Sequence, residues 1–135
     1  MAIPEIRVSF CLFGDFDPTA VSVAVGLEPD RTWRAGDARV PHSPLTHTSA
    51  GWCIEERPET GWELEPVVSR LLDRLAPFRA EIQAVRERLA LRAQLACVVY
   101  ADDRVPALGL GSQCVARLAE LEASLDIDVM LVERP

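Results

Sequence analysis

The sequence predicts an α+β fold. The expected form is a two-layer sandwich: a mixed β-sheet with helices on one face, opening with a ferredoxin-like split β-α-β unit and extended by a further α-β unit. Three observations point there. Glu5 to Phe13 alternates apolar and polar residues with a period of two. Leu64 to Leu75 spaces its apolar residues to form one broad helical face. Elements of both kinds follow one another in the order β-α-β-β-α(α)-β-α-β.

The first strand has Ile6, Val8, Phe10 and Leu12 on one face and Arg7, Ser9 and Cys11 on the other. Asp17-Pro18 then opens a short helix, with Asp as N-cap and Pro at the first helical position. Thr19 to Val25 is rich in β-branched residues, so packing must hold it. Gly26 stops it. Pro29 to Ala35, around Trp33, reads as a short strand, and Gly36-Asp37 as a turn. Ala38 to Ala50, with Pro41 and Pro44, reads as a loop. Gly51 to Glu55, around Trp52, reads as a strand paired with the Trp33 segment.

Thr60-Gly61-Trp62-Glu63 fits a capping box. Pro66 argues for a helix start nearer Leu64 or Glu65, so that it falls in the first turn. Pro77 breaks this helix or opens another, and Phe78, Ile82, Val85 and Leu89 continue at helical spacing. Gln94 to Tyr100 is a near-continuous apolar run and reads as a central strand buried on both faces. Ser112 is placed to cap a helix carrying Val115, Leu118 and Leu121. Leu125, Ile127, Val129 and Leu131 alternate with Asp126 and Asp128 in a last strand.

The chain has 135 residues, which fits a single domain over 1–135. Hydrophobic residues make up 49%, too many for a disordered chain. The formal net charge is -7. That balance argues against nucleic-acid binding and against docking on anionic lipid. The start of the chain does not read as a signal peptide, and no apolar run approaches the roughly 20 residues that span a bilayer. The expected location is cytoplasmic. None of the four cysteines sits in a C-x-x-C pair or a zinc pattern. Reduced, structural thiols are therefore expected, and no cofactor.

The leading candidate site is Trp33, Arg34, Gly36, Asp37 and Trp52. Trp and Arg are frequent interface anchors, and Arg stacks on Trp. The competing reading is that one or both Trp fill the core and Gly36-Asp37 is a plain turn. Asp15 and Asp17 form an acidic pair that could bind a cation or work as acid and base; alternatively Asp17 is only a helix cap. His42, His47 and Cys53 match no metal spacing, so no metal site is expected. Cys114, near a helix start, is a candidate reactive thiol without a neighbouring His in sequence. Gly109-Leu110-Gly111-Ser112 is a weak anion-binding signal that lacks a P-loop Lys.

Val8-Ser9-Phe10, Gly14-Asp15-Phe16-Asp17-Pro18, Gly26-Leu27-Glu28-Pro29, Trp33-Arg34-Ala35-Gly36-Asp37 and Trp52 together resemble the bacterial domain-of-unknown-function 4279 family. The Leu64–Leu75 helix and the closing Leu125–Val129 strand are similar too. In the family pattern a Ser often follows the motif Trp; here Trp52 is followed by Cys53-Ile54-Glu55-Glu56. The resemblance implies a small bacterial domain and no particular activity.

The function expected from these features is a non-enzymatic protein-interaction module. It would act as immunity proteins do, by neutralising a partner with a basic surface. The alternative is a small-ligand binder or enzyme with a pocket near Asp15, Arg34 and Trp52. Self-association through an apolar strand edge or the Trp surface is a third reading.

Overall fold

The computed structural model of the protein describes residues 2–133. β1 (Glu5–Gly14) lies inside the sheet. Its Ile6, Val8, Phe10 and Leu12 are all buried on one face, as their alternation demands. α1 (Pro18–Val25) follows, capped by the Asp17 carboxylate, which accepts from the Thr19 backbone N–H at 3.0 Å. Gly26 ends it in the left-handed conformation, φ 81°, which costs a glycine nothing.

β2 (Arg31–Trp33) and β3 (Ala50–Glu55) form an antiparallel pair, and β3 pairs antiparallel with β1. β1 and β2 are therefore parallel with β3 between them, the split β-α-β arrangement. A two-residue strand, β4 (Glu59–Thr60), pairs with the start of β1. β5 (Arg92–Ala101) pairs antiparallel with the other side of β1, and β6 (Ala123–Leu131) runs parallel beside β5. The sheet order is β2-β3-β1-β5-β6, with β4 off this path.

α2 (Glu65–Leu75) buries Val67, Val68, Leu71, Leu72 and Leu75. A 3-10 turn, Ala76–Phe78, contains Pro77 and leads into α3 (Arg79–Leu89). α4 (Ser112–Glu120) joins β5 to β6, and the parallel pairing of those strands needs such a crossover. The core lies between the helices and one sheet face. Its largest buried side chains include Trp52, Phe10, Ile6, Leu12, Leu71 and Leu95.

Four expectations are corrected. β5 is covered on one face only: Ala93, Leu95, Cys97, Val99 and Ala101 are buried, while Gln94, Ala96, Val98 and Tyr100 are half-exposed. The helices stack on one side, so a mostly apolar run here does not mean two covered faces. The capping box does not form. Thr60 pairs with Glu5 in β4, the Gly61 N–H donates to the Pro4 carbonyl at 3.1 Å, and α2 starts at Glu65 with Pro66 in its first turn. Ser112 is the first residue of α4 rather than its cap, which is Gly111.

The fourth correction concerns the thiols. Cys11 and Cys53 are disulfide-bonded. They stand directly opposite each other in the β1–β3 register, with Cα atoms 4.2 Å apart. Their separation of 42 residues in sequence hid this relationship. Cys97 and Cys114 are free and buried, as expected of structural thiols.

Candidate binding face

The sheet face opposite the helices has no helix over it. Period-two alternation sends Arg7, Ser9, Cys11 and Phe13 of β1 to this side, with Arg31 and Trp33 of β2 and Arg92, Gln94, Ala96, Val98 and Tyr100 of β5. Its middle is made of small residues, Ser9, Cys11, Gly51, Cys53 and Ala96. Its flanks carry aromatic rings and guanidinium groups.

Trp33 is the centre of one flank. Its indole lies across Gly51 of the neighbouring strand, where a β-carbon would meet the ring. The indole N–H donates to the Ser49 carbonyl at 3.1 Å. His47 stacks on the ring at a centroid distance of 4.4 Å, and Phe13 stands tilted 6.0 Å away. The Arg31 guanidinium sits 5.1 Å from the Trp33 ring centre, and Arg92 sits 5.8 Å from that of Phe13. At the far flank Arg7 lies 5.4 Å from the Tyr100 ring centre. These are cation–π distances, and each ring also braces the long arginine stem beside it.

Arg34, Gly36 and Asp37 build the turn that supports this cluster. The Asp37 carboxylate accepts from the Arg34 backbone N–H at 2.8 Å, and Gly36 takes a φ of 91°. The Gly36 N–H donates to the His47 carbonyl, and the His47 N–H to the Asp37 carbonyl, both at 2.9 Å. That pairing holds His47 against Trp33. The Arg34 side chain turns away, to the Asp17 carboxylate at 2.9 Å. One Asp17 oxygen thus serves both the cap of α1 and Arg34.

The two expected tryptophans do not share a surface. Trp52 is fully buried on the helix side, its indole N–H donating to the Ser22 hydroxyl at 3.0 Å. Trp33 and Trp52 lie on adjacent strands but on opposite faces of the sheet. Asp15 is exposed and makes no ion pair among the described residues. Two hollows open on the uncovered face. One of about 360 Å³ is lined by Phe13, Trp33, Arg39 and His47, and one of about 260 Å³ by Arg7, Ser9, Arg31, Glu55, Ala96 and Tyr100 among others. Neither is lined by Asp15, Arg34 or Trp52.

The remaining candidates are accounted for by packing. Cys53 is held in the disulfide, and among the described residues no three His, Cys, Asp or Glu side chains gather as a metal site. Cys114 is buried, with its Sγ 3.3 Å from the Ser69 hydroxyl. The start of α4 already holds an anion: the Gly111 N–H donates to the Glu65 carboxylate at 2.5 Å. Burial, and secondarily the Asp126 charge, push the Cys97 thiol up to about 12.

Phe13, Arg31, Gly51, Arg92 and Tyr100 belong to this face without being candidates from sequence, and His47, weighed there only as a metal ligand, joins them as a stacking partner of Trp33. Continuing the β1 alternation by one residue assigns Phe13 to the Arg7–Cys11 face. The cross-strand pairing of Gly51 with Trp33, a bulky ring over a residue without a side chain, is a signal visible only once register is known.

A family model described as a domain of unknown function (DUF4279) matches residues 4–131. No curated protein and no solved structure matches the chain.

Proposed function

The chain belongs to the DUF4279 family of domains of unknown function, and from that premise we propose that it is a non-enzymatic bacterial protein-interaction module. It binds a protein partner through the uncovered sheet face, neutralising that partner in the manner of an immunity protein. The observation that carries this reading is the Trp33 cluster: a large ring fixed by Gly51, Ser49, His47 and Phe13 on a face no helix covers. A rigid, half-exposed Trp with guanidinium groups beside it loses little freedom on binding and has much area to bury. The net charge of -7 favours a partner that is basic overall, met faster at low salt, with acidic or aromatic groups where it meets the guanidinium groups of this face.

A cytoplasmic location is part of the proposal, and the Cys11–Cys53 bond makes it testable. Cytosolic reductants keep most thiols reduced, so acid-trapped cells would show these two cysteines alkylatable if the protein resides there.

The test is a pull-down from native-host lysate at low salt, comparing wild type with Trp33→Ala once circular dichroism confirms that both fold. A protein retained by wild type and lost by the folded variant supports the reading. A partner held equally by both removes the Trp33 face from it. A small-ligand site is the second reading, supported by the 260 Å³ hollow between Arg7, Arg31 and Tyr100. Ligand screening by thermal shift against Arg31→Ala addresses it.

A further inference from the structure

The two edges of the sheet are finished differently. At one edge β2 has three residues, and the chain after it folds back on itself through the Gly36–His47 backbone bonds and an Ala38–Thr46 bridge. Short, interrupted edges give other chains little to pair with. At the other edge β6 runs nine residues, Ala123–Leu131, and pairs only with β5. No described strand lies along its outer side, so alternate backbone N–H and C=O groups point outward as a template for another strand.

The side chains of β6 specify what that strand would be. On the helix side Leu125, Val129 and Leu131 are 45%, 38% and 74% exposed, because the helix layer does not reach over them. Ala123 and Ile127 are the residues on that side packed against the core. On the open side Asp126 and Asp128 stand two residues apart, about 7 Å along one strand face. Neither makes an ion pair among the described residues. Exposed apolar groups on one face, and two carboxylates followed by the exposed Met130 on the other, lie beside unpaired backbone, the combination a β-augmentation site uses.

We propose that the outer edge of β6 accepts an extended segment of a partner protein as an added strand. The segment alternates basic and apolar side chains, the basic ones facing Asp126 and Asp128 and the apolar ones covering Leu125, Val129 and Leu131. This rests on the protein-interaction reading above, but not on the Trp33 cluster. A second copy of the chain is the wrong occupant. Two β6 edges paired antiparallel about Ile127 would set Asp126 of each against Asp128 of the other, and like charges directly opposite are destabilising. The carboxylates that oppose self-pairing select a cationic strand.

The test uses the full chain and two labelled nine-residue peptides, one alternating arginine with valine and one alternating glutamate with valine. Fluorescence anisotropy at low salt reads affinity, and hydrogen exchange reads location. The arginine peptide is expected to bind and to slow exchange over residues 123–131. Asp126→Lys/Asp128→Lys is expected to weaken it by about tenfold or more and to bind the glutamate peptide instead. Asp126→Asn/Asp128→Asn, which keeps side-chain shape, should fall between. No binding of the arginine peptide, equal binding by the lysine variant, or protection outside β6 would overturn the proposal. So would concentration-dependent protection of 123–131 in wild type alone, which would show self-pairing. Trp33→Ala should leave peptide binding unchanged, so a failed partner pull-down and a failed peptide experiment report on different surfaces.

Discussion

The indole of Trp33 lies so close over Gly51 that a β-carbon at position 51 would stand 2.1 Å from the ring. The two residues are direct cross-strand partners in β2 and β3. No real β-carbon tolerates that approach, so any side chain at 51 must expel the ring.

Gly51→Ala is therefore expected to displace Trp33 and with it the stacked His47. The cost is about 1–3 kcal/mol, typical of overpacking a fitted site. Urea unfolding reads the loss. Trp fluorescence in a Trp62→Phe background reads the ring, since Trp52 stays buried and constant. Unchanged emission together with unchanged stability would show that the ring does not lie over Gly51.

The Cys11–Cys53 bond closes a loop across the centre of the sheet. Denatured, unreduced protein should show two reactive thiols, from Cys97 and Cys114, and four after reduction. Reduction should lower stability by up to about 4 kcal/mol, the chain-entropy figure for a loop of this length. Four thiols in protein purified without reductant, with the cysteines still buried, would show a reduced pair in the same register.

The Ser22 hydroxyl accepts from the indole N–H of the fully buried Trp52 at 3.0 Å. Ser22→Ala leaves the indole N–H buried and unsatisfied, at a cost of about 1–3 kcal/mol. Trp52→Phe in the Ser22→Ala background removes both polar groups, so a double-mutant cycle should show strong coupling. Additive losses would mean that the bond contributes nothing.

Burial and Asp126 raise the Cys97 thiol from its ordinary 9.0 to about 12. The sign follows from linkage. Above pH 9 the unfolded chain releases this proton while the folded chain keeps it, so stability falls as pH rises from about 9 towards 12. Cys97→Ala should flatten that fall, measured by denaturant unfolding across the range. Asp126→Asn should shift the onset less, because burial is the larger cause. An identical alkaline profile in the Cys97 variant would assign the fall to other groups.

Much of the architecture was legible because local chemistry and global fold agree. The β1 alternation, the Asp17-Pro18 start, the Gly26 stop and the Pro66 constraint each act within one turn or strand, and each element stands where they place it. What was not legible depends on register and on layers. Cys11 and Cys53 meet only through the β1–β3 pairing. The one-sided cover of β5 depends on where all four helices stack. Thr60 satisfied a local capping pattern, but a bond from Gly61 to Pro4 and pairing with Glu5 drew it into the sheet instead. For the candidate site, Trp33 was visible as an anchor type and Trp52 looked equivalent. Their difference is a matter of strand parity across a register that single-sequence reading does not supply.

The placement of β1 also bears on how the chain is made. This strand is made before the rest of its sheet, yet its longest pairing is with β5, some eighty residues later. Contacts so distant in sequence slow folding, because a long loop must close before they form. Until β5 is released, Ile6, Val8, Phe10 and Leu12 rely on α1, β3 and α2 for cover, and one edge of β1 stays open. The nascent chain thus passes through a stage in which a core strand is half-paired, and such open, apolar edges are the aggregation hazard that chaperones guard against.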